Sequence, residues 1–295
     1  LLNVDYDVED VLAFHALGRL AGDSREQLTK EFVDRFDIVI VMHIPQWITI
    51  NWKAMKHKPV VWRTIGQSIA AQEFELRPYR KQGLNIIRYS PLERTIPGYI
   101  GEDALIRFYK DPEEFKNWSA EKKRVVTFAQ SMQLRNQACN FSFFEEVTRP
   151  YNRGLYGPGN EESGSFAHAE QEFDVLKNIM RNSRVYFYTG THPASYTLNF
   201  IEAWMTGIPI VAIGPKRGNA SYFPGHNLYE VPSLIKNSIT GFVSDDRAVL
   251  QKTIQKLLDN DELATSVSAA GREQAIRTFG KDVIAEKWRR YLETL

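Results

Sequence analysis

The chain has one cysteine, Cys139, in 295 residues. A lone thiol forms no intrachain disulfide, which points to a reducing compartment, and a cytoplasmic location is the expectation. A reactive thiol needs a histidine and electropositive surroundings; "RNQACNFS" reads instead as the face of a helix, so Cys139 is expected to be structural. No run approaches the ~20 apolar residues of a membrane span, and no signal-peptide pattern is present. A peripheral membrane contact stays open. Neither charge sign is in excess: 37 Lys and Arg against 36 Asp and Glu leave +1. No global field therefore attracts nucleic acid, although a local basic cleft stays open. Internal repeats and low-complexity tracts are missing too. No Asp-x-Asp motif stands at a strand end to hold a divalent metal, and His57, His168 and His226 lack metal-ligand spacing. No metal and no cofactor is expected. Since the chain opens at Leu1 without a methionine, further N-terminal sequence is expected to precede it, and the first domain to be short or truncated.

Composition is that of a globular protein, with 43% hydrophobic and 25% charged residues. Aromatics, at 12%, are abundant; they fill cores and, where exposed, stack on sugars and bases. Short β-branched runs alternate with amphipathic stretches, the pattern of βαβ units and parallel sheets. "DIVIVMHI", "KPVVWRTIG" and "LNIIRYS" read as strands, and "ALIRFY" as a fourth. "VEDVLAFHALGRL", "REQLTKEFVDRF" and "SIAAQEFELRPYRKQG" read as helices. "KDPEEFKNWSAEKK" is polar and contains proline, which suits an interdomain connection, with "KKR" at 122–124 as its solvated end. A second series follows: strands at "RVVTFAQS", "RGLY", "RVYFYTG" and "IPIVAIG", and helices at "RNQACNFSFFEEVTRPY", "HAEQEFDVLKNIMRNS" and "TLNFIEAWMTG", then three to the C-terminus. The domains expected are 1–115 and 116–280, with a terminal helix at 281–295.

The stretch from Thr197 to Gly214 holds one acidic residue, Glu202, in an otherwise apolar run. Open α/β sheets bind ligands beyond the carboxyl ends of their strands. "RVYFYTG" ends in the loop "THPASY", which leads into a helix at Thr197. The first amides of that helix lack intrahelical partners and carry the positive end of the dipole, so a phosphate can sit there. Glu202 lies about one and a half turns further on. It would repel a phosphate, but a carboxylate can accept two hydrogen bonds from a vicinal diol such as a ribose. The alternative is an ordinary glutamate on an exposed helix edge.

"ASYTLNFIEAWMTGIPIVA" resembles the donor-binding domain of GT-B glycosyltransferases, specifically the retaining family 4 group. That group has Glu, seven residues, then Glu, an Ala-Met-Ala-like stretch, Gly-x-Pro and a β-branched strand. "NLYEVPSLIKNSITGFVSDD" and the tail from "LLDNDELATS" onward also resemble it, and the likeness extends over about residues 80–295. It implies an α/β GT-B fold of two Rossmann-like domains whose parallel sheets face an interdomain cleft, the C-terminal helix crossing back to the first domain. Glu202 takes the ribose-binding position. Tyr196, Thr197 and Leu198 take the triplet whose backbone meets the diphosphate. In the linker, Asp111 and Phe115 match.

Three departures stand out. The family's sugar-contacting glutamate falls on Ala194, leaving backbone amides, His192 or Ser195 to hold the sugar. The first basic diphosphate residue is Gln130, so Arg135 is the candidate counter-charge. No Gly-rich loop follows the first strand. The resemblance implies transfer of a sugar from a nucleoside-diphosphate donor, as co-substrate, to an unknown hydroxyl acceptor with retention. The leaving diphosphate then takes the acceptor's proton, and the helix amides with Arg135 stabilise the developing charge.

At other strand ends, His43 either faces the cleft as a catalytic group or is solvated. Arg63 and Gly66 either line the cleft or do not; Gly66 permits close approach of backbone to ligand. Lys216 and Arg217 either add charge near the phosphates or are solvated. "GPGN" is a turn on the binding edge, "DD" at 245–246 a helix N-cap region, and Arg272 structural. The alternatives are a sugar-nucleotide epimerase of the same fold and a non-catalytic sugar-nucleotide-binding protein. Donor base, sugar, acceptor and oligomeric state are not legible.

Overall fold

A computed structural model describes residues 7–20, 28–66, 68–219 and 227–295. The chain forms two compact units, Leu1–Leu105 with Thr294–Leu295, and Ile106–Glu293. The division falls after Leu105, where the sequence reading sets its first boundary at 115. The terminal helix, Lys281–Leu292, lies within the second unit.

In the first unit, β1 (Val39–Met42), β2 (Val60–Arg63), β3 (Asn85–Arg88) and β4 (Ala104–Leu105) form a parallel sheet in that order. Every residue of β2 is buried, as a central parallel strand covered on both faces requires. Trp62 pairs with Val41 on one side and Ile86 on the other. Around them Ile48, Trp52, Met55 and Leu76 from the Gln46–Met55 and Ala70–Arg80 helices close the core. "REQLTKEFVDRF" is shorter as a helix than expected: within its described part only Lys30–Val33 is helical, capped by Thr29, whose hydroxyl accepts from the Phe32 amide. "ALIRFY" yields two strand residues, because Arg107 is drawn away to a buried partner described below.

The second unit holds six parallel strands: β5 (Lys122–Phe128), β6 (Arg153–Tyr156), β7 (Ala167–His168), β8 (Ser183–Tyr188), β9 (Ile210–Ile213) and β10 (Phe242–Ser244). Their order is β10-β9-β8-β5-β6-β7. From β5 the chain runs outward through β6 and β7, then returns to β8 on the other side. The topological switch point thus lies between β5 and β8, and the crevice at their carboxyl ends is where such sheets take ligands. β8 and β9 are buried throughout. "KKR" belongs to a strand rather than to a linker end: Lys122–Arg124 open β5, the two lysines exposed as expected, while Arg124 donates to Ser183 Oγ and Tyr156 Oη, both at 2.9 Å. The expected single helix at 135–151 is two, Asn136–Cys139 and Phe141–Thr148, broken by Asn140 at φ +56°. Asparagine tolerates that left-handed conformation better than most residues.

Candidate functional site

The Leu198–Thr206 helix runs from the loop after β8 and buries Phe200, Ile201, Trp204 and Met205. Gly207, at φ +98°, ends it; its amide donates to the Ala203 and Trp204 carbonyls, the left-handed cap that glycine favours. This is the Gly-Ile-Pro turn read in the sequence. At the other end Thr197 is extended, and its side chain does not cap the helix. The Thr197 hydroxyl instead meets Asn199 Oδ1 and, at 3.3 Å, Tyr188 Oη. Asn199 Nδ2 donates to the Phe128 carbonyl at 2.6 Å. The amino end of the helix is thereby tied to the end of β5, at the switch point.

The loops after β5 and β8 are stitched together. The Thr189 hydroxyl donates to the Cys139 carbonyl at 2.7 Å, Asn140 Nδ2 to the Thr189 carbonyl at 3.0 Å, and the His192 amide to the Ala138 carbonyl at 2.7 Å. Asn140 thus needs its unusual backbone to aim its amide across the crevice. Arg135, partly exposed, opens the short helix of this segment and donates to the Gln130 carbonyl at 3.4 Å. Burial pushes the Cys139 thiol pKa up, and the nearby Arg135 charge only partly offsets it. A buried, protonated thiol suits the structural role expected. The fully buried Asn160 braces the same edge: it accepts from the Met132 amide at 2.8 Å and donates to the Ala129 and Gly157 carbonyls. "GPGN" is more than a turn, since a side chain at Gly157, φ +139°, would lie 2.3 Å from the Ala129 carbonyl oxygen.

Glu202 is 9% exposed, so it does not sit on an open helix edge. Its Oε1 lies 2.5 Å from Lys110 Nζ. Lys110 itself is held by its amide, which donates to the Phe279 carbonyl at 3.0 Å, and by a bridge to Gly280; its ammonium lies 5.4 Å from the centre of the Phe115 ring. Arg272 fastens the same strap: its guanidinium meets the carbonyls of Pro112 (3.0 Å), Phe115 and Met205, which accounts for it as structural. Lys110 escaped sequence reading, although it precedes the matched Asp111, because its partner is remote in the chain.

Tyr196, Ser195 and His192 are buried, and Leu198 is exposed. The Ser195 carbonyl accepts from the Glu230 amide at 3.0 Å, and the Ala194 amide donates to the Thr191 carbonyl at 2.8 Å. The Lys216 and Arg217 amides both donate to Asp245, whose carboxylate caps the turn after β9. The Arg217 guanidinium stacks 3.5 Å over Phe143, so it packs within the unit, while the Lys216 side chain is exposed. Asp246 alone caps the following helix, accepting from the Ala248 and Val249 amides. The acidic pair therefore divides into two caps.

In the first unit His43, exposed and at φ +69°, follows β1, and Gly66, at φ +42°, follows β2. Arg63 is buried. The loop holding Gly66 is clamped by the buried Glu93, which accepts from Thr64 Oγ1 (3.0 Å), Ser68 Oγ, and the Tyr89 and Ser90 amides. Arg88 lies 3.9 Å from Glu93 and is bidentate to the equally buried Glu73. Burial holds the Glu93 carboxyl above its usual range despite the Arg88 charge. His57 pairs with Asp34 at 2.6 Å and His168 stacks on Tyr156; His226 lies outside the described residues. Among the described residues no group of three or more His, Cys, Asp or Glu could hold a metal ion, and no helix is long and apolar enough to cross a membrane.

No protein-family model and no curated protein sequence matches the chain. Solved structures do. The chain is similar to HepE of Anabaena in complex with UDP-glucose (TM-score 0.66, 14% identity, covering 95% of this chain and 84% of that one). It is also similar to the sucrose-phosphate synthase of Thermosynechococcus elongatus (0.69, 13%, 93% and 79%) and to a glycosyltransferase of Rickettsia africae (0.65, 12%, 98% and 83%). At these identities the likeness is one of fold: an α/β chain with two parallel sheets, in the GT-B architecture of glycosyltransferases.

Proposed function

We propose that this chain is a glycosyltransferase that moves a sugar from a nucleoside-diphosphate donor to a hydroxyl acceptor, with retention of anomeric configuration. The observation that carries the reading is the assembly at the β5–β8 switch point. There the amino end of the Leu198–Thr206 helix is tied to the end of β5, Arg135 stands on the adjoining loop, and Glu202 follows within the same helix. The helix amides and Arg135 would bind the diphosphate, and Glu202 the ribose diol. In the reaction the bond from the anomeric carbon to the diphosphate oxygen breaks and a bond to the acceptor oxygen forms on the same face. The acceptor's proton passes to the leaving diphosphate, whose growing charge Arg135 and the helix amides stabilise. Because those groups supply the counter-charge, the reading needs no metal ion. HepE was crystallised with UDP-glucose, a donor of the class this reading extends here.

Ala194 favours a second reading, a nucleotide-sugar binder without turnover, because the family glutamate that contacts the sugar is missing. Calorimetry with UDP, GDP and ADP, followed by a nucleotide-sugar panel read for nucleotide release and product anomer, tests both. If none of the nucleotides binds, or Glu202→Ala leaves binding untouched, the donor-site reading fails. Binding without release of nucleotide from any donor would leave the second reading standing.

A further inference from the structure

We infer that Lys110 is a specificity-determining residue of the donor site, one half of an ion pair that selects nucleotides carrying an intact ribose diol. The inference rests on the placement of the ribose at Glu202.

A carboxylate alone can only accept from a diol, whereas each hydroxyl can donate and accept at once. Lys110 Nζ, 2.5 Å from Glu202 Oε1, makes the pair able to do both. The ammonium has three donors, of which Glu202 takes one. Both side chains keep a little exposed surface, 17% for Lys110 and 11% for Glu202, so a ligand can reach them. The pair is also rigid. Lys110 is pinned through its backbone to Phe279 and Gly280 and packed against Phe115, and the strap carrying it is fastened by Arg272. Glu202 stands on a helix buried from Phe200 to Thr206. A pre-set donor and acceptor side by side suit a cis-diol better than they suit an isolated hydroxyl. They also fix the carboxylate's direction before the ligand arrives, which lowers the ordering cost of binding.

The test is the ratio of dissociation constants for the 2′,3′-dideoxy and the ribo form of whichever of UDP, GDP and ADP binds. In the unaltered chain the ratio should be about tenfold or more, the size of hydrogen bonds to charged groups. Lys110→Met should cut it about threefold or more, leaving the part Glu202 supplies by accepting from the diol, and Lys110→Arg should restore most of it. A merely structural role weakens both nucleotides together and leaves the ratio intact; that result overturns the inference. If the methionine variant does not fold, Lys110→Met combined with Glu202→Gln, which leaves no uncompensated charge, replaces it. Lys110 donates to the diol itself, so the double variant's ratio should fall below that of Glu202→Gln alone, and equal ratios overturn the inference. If Glu202→Gln collapses the ratio while Lys110→Met does not, the ribose reading survives and only Lys110 is removed. If no nucleotide binds, or neither variant changes the ratio, the ribose reading falls and takes this inference with it.

Discussion

Arg107 and Glu230 meet as a bidentate pair inside the second unit, Nη1 to Oε2 at 2.8 Å and Nη2 to Oε1, with the guanidinium also 5.8 Å from the Tyr196 ring centre and 5.7 Å from that of Phe279. Glu230 in turn donates its amide to the Ser195 carbonyl. One ion pair thus joins the first residues after β4, the loop before the candidate donor helix and the segment after β9. Burial draws the Arg107 pKa down, but the hydrogen bonds and charge of Glu230 outweigh that and hold it above its usual range.

Breaking that pair from one side should be costly. Glu230 is 2% exposed and Arg107 12%, so Arg107→Met leaves a carboxylate buried without its counter-ion, a loss of about 3–5 kcal/mol. Replacing both, Arg107→Met with Glu230→Gln, should recover much of it, because no uncompensated charge remains. Urea unfolding of the two variants against the parent checks this. Equal losses in the single and double variants would show that shape and not charge makes the contact.

Arg135 bears on chemistry more than on folding. Its guanidinium is partly exposed and makes one long bond, 3.4 Å, to Gln130, so Arg135→Ala should change stability by less than about 1 kcal/mol. If Arg135 stabilises the leaving diphosphate, turnover should fall by about a hundredfold and nucleotide affinity by about tenfold. Arg135→Lys, which keeps the charge but not the fork, should recover part of the turnover. Steady-state rates and calorimetry on the same preparations separate the two effects.

What could be read from the residues, and what could not, follows from the range of the interactions. The Leu198–Thr206 helix, its glycine stop and β9 were legible because each is written within a few residues of itself. Glu202 was legible as an anomaly for the same reason. Its partner was not: Lys110 lies in a polar stretch that reads as a connection, and only the fold brings it to the helix. Asn140 splits an apparently continuous helix because its side chain is needed on Thr189, a demand no local pattern records. β7 and β10, at two and three residues, are too short to show a period. The GT-B architecture was reached through a resemblance spread over about residues 80–295, and the observed parallel order agrees with it.

The loop after β6 should prove a stability element of the ligand edge. Asn160 is fully buried and satisfies three backbone groups, the Met132 amide and the Ala129 and Gly157 carbonyls. Asn160→Ala strands them at a cost of about 2–3 kcal/mol. Asn160→Asp keeps the acceptor for Met132 but sets a carboxylate against two carbonyl oxygens, so it should be no better. Thermal unfolding measures both; an alanine variant as stable as the parent would mean that water or a shifted loop replaces the side chain.

Glu93 gives the first unit a pH dependence whose sign is fixed by burial. Two carboxylates, Glu73 and Glu93, share one guanidinium, Arg88, and all three side chains are fully buried. Glu73 takes the bidentate contact, so Glu93 is the group left short of counter-charge. Burial, only partly offset by Arg88 and the hydrogen bonds from Ser68, Ser90 and Thr64, raises its folded pKa above 4.5. A carboxyl whose folded pKa exceeds its unfolded value binds its proton more tightly when folded. Its contribution is therefore complete below the unfolded pKa and is lost as pH rises through the folded one. Glu93→Gln removes that proton equilibrium while keeping an acceptor for the Tyr89 and Ser90 amides. Relative to this variant, the parent should lose stability steadily as pH is raised from about 4 through the folded pKa and then level off. Urea unfolding of both proteins across that range measures the difference directly. A gap that stays constant with pH, or that widens in the parent's favour, would show that the four hydrogen bonds hold Glu93 ionised in the folded chain.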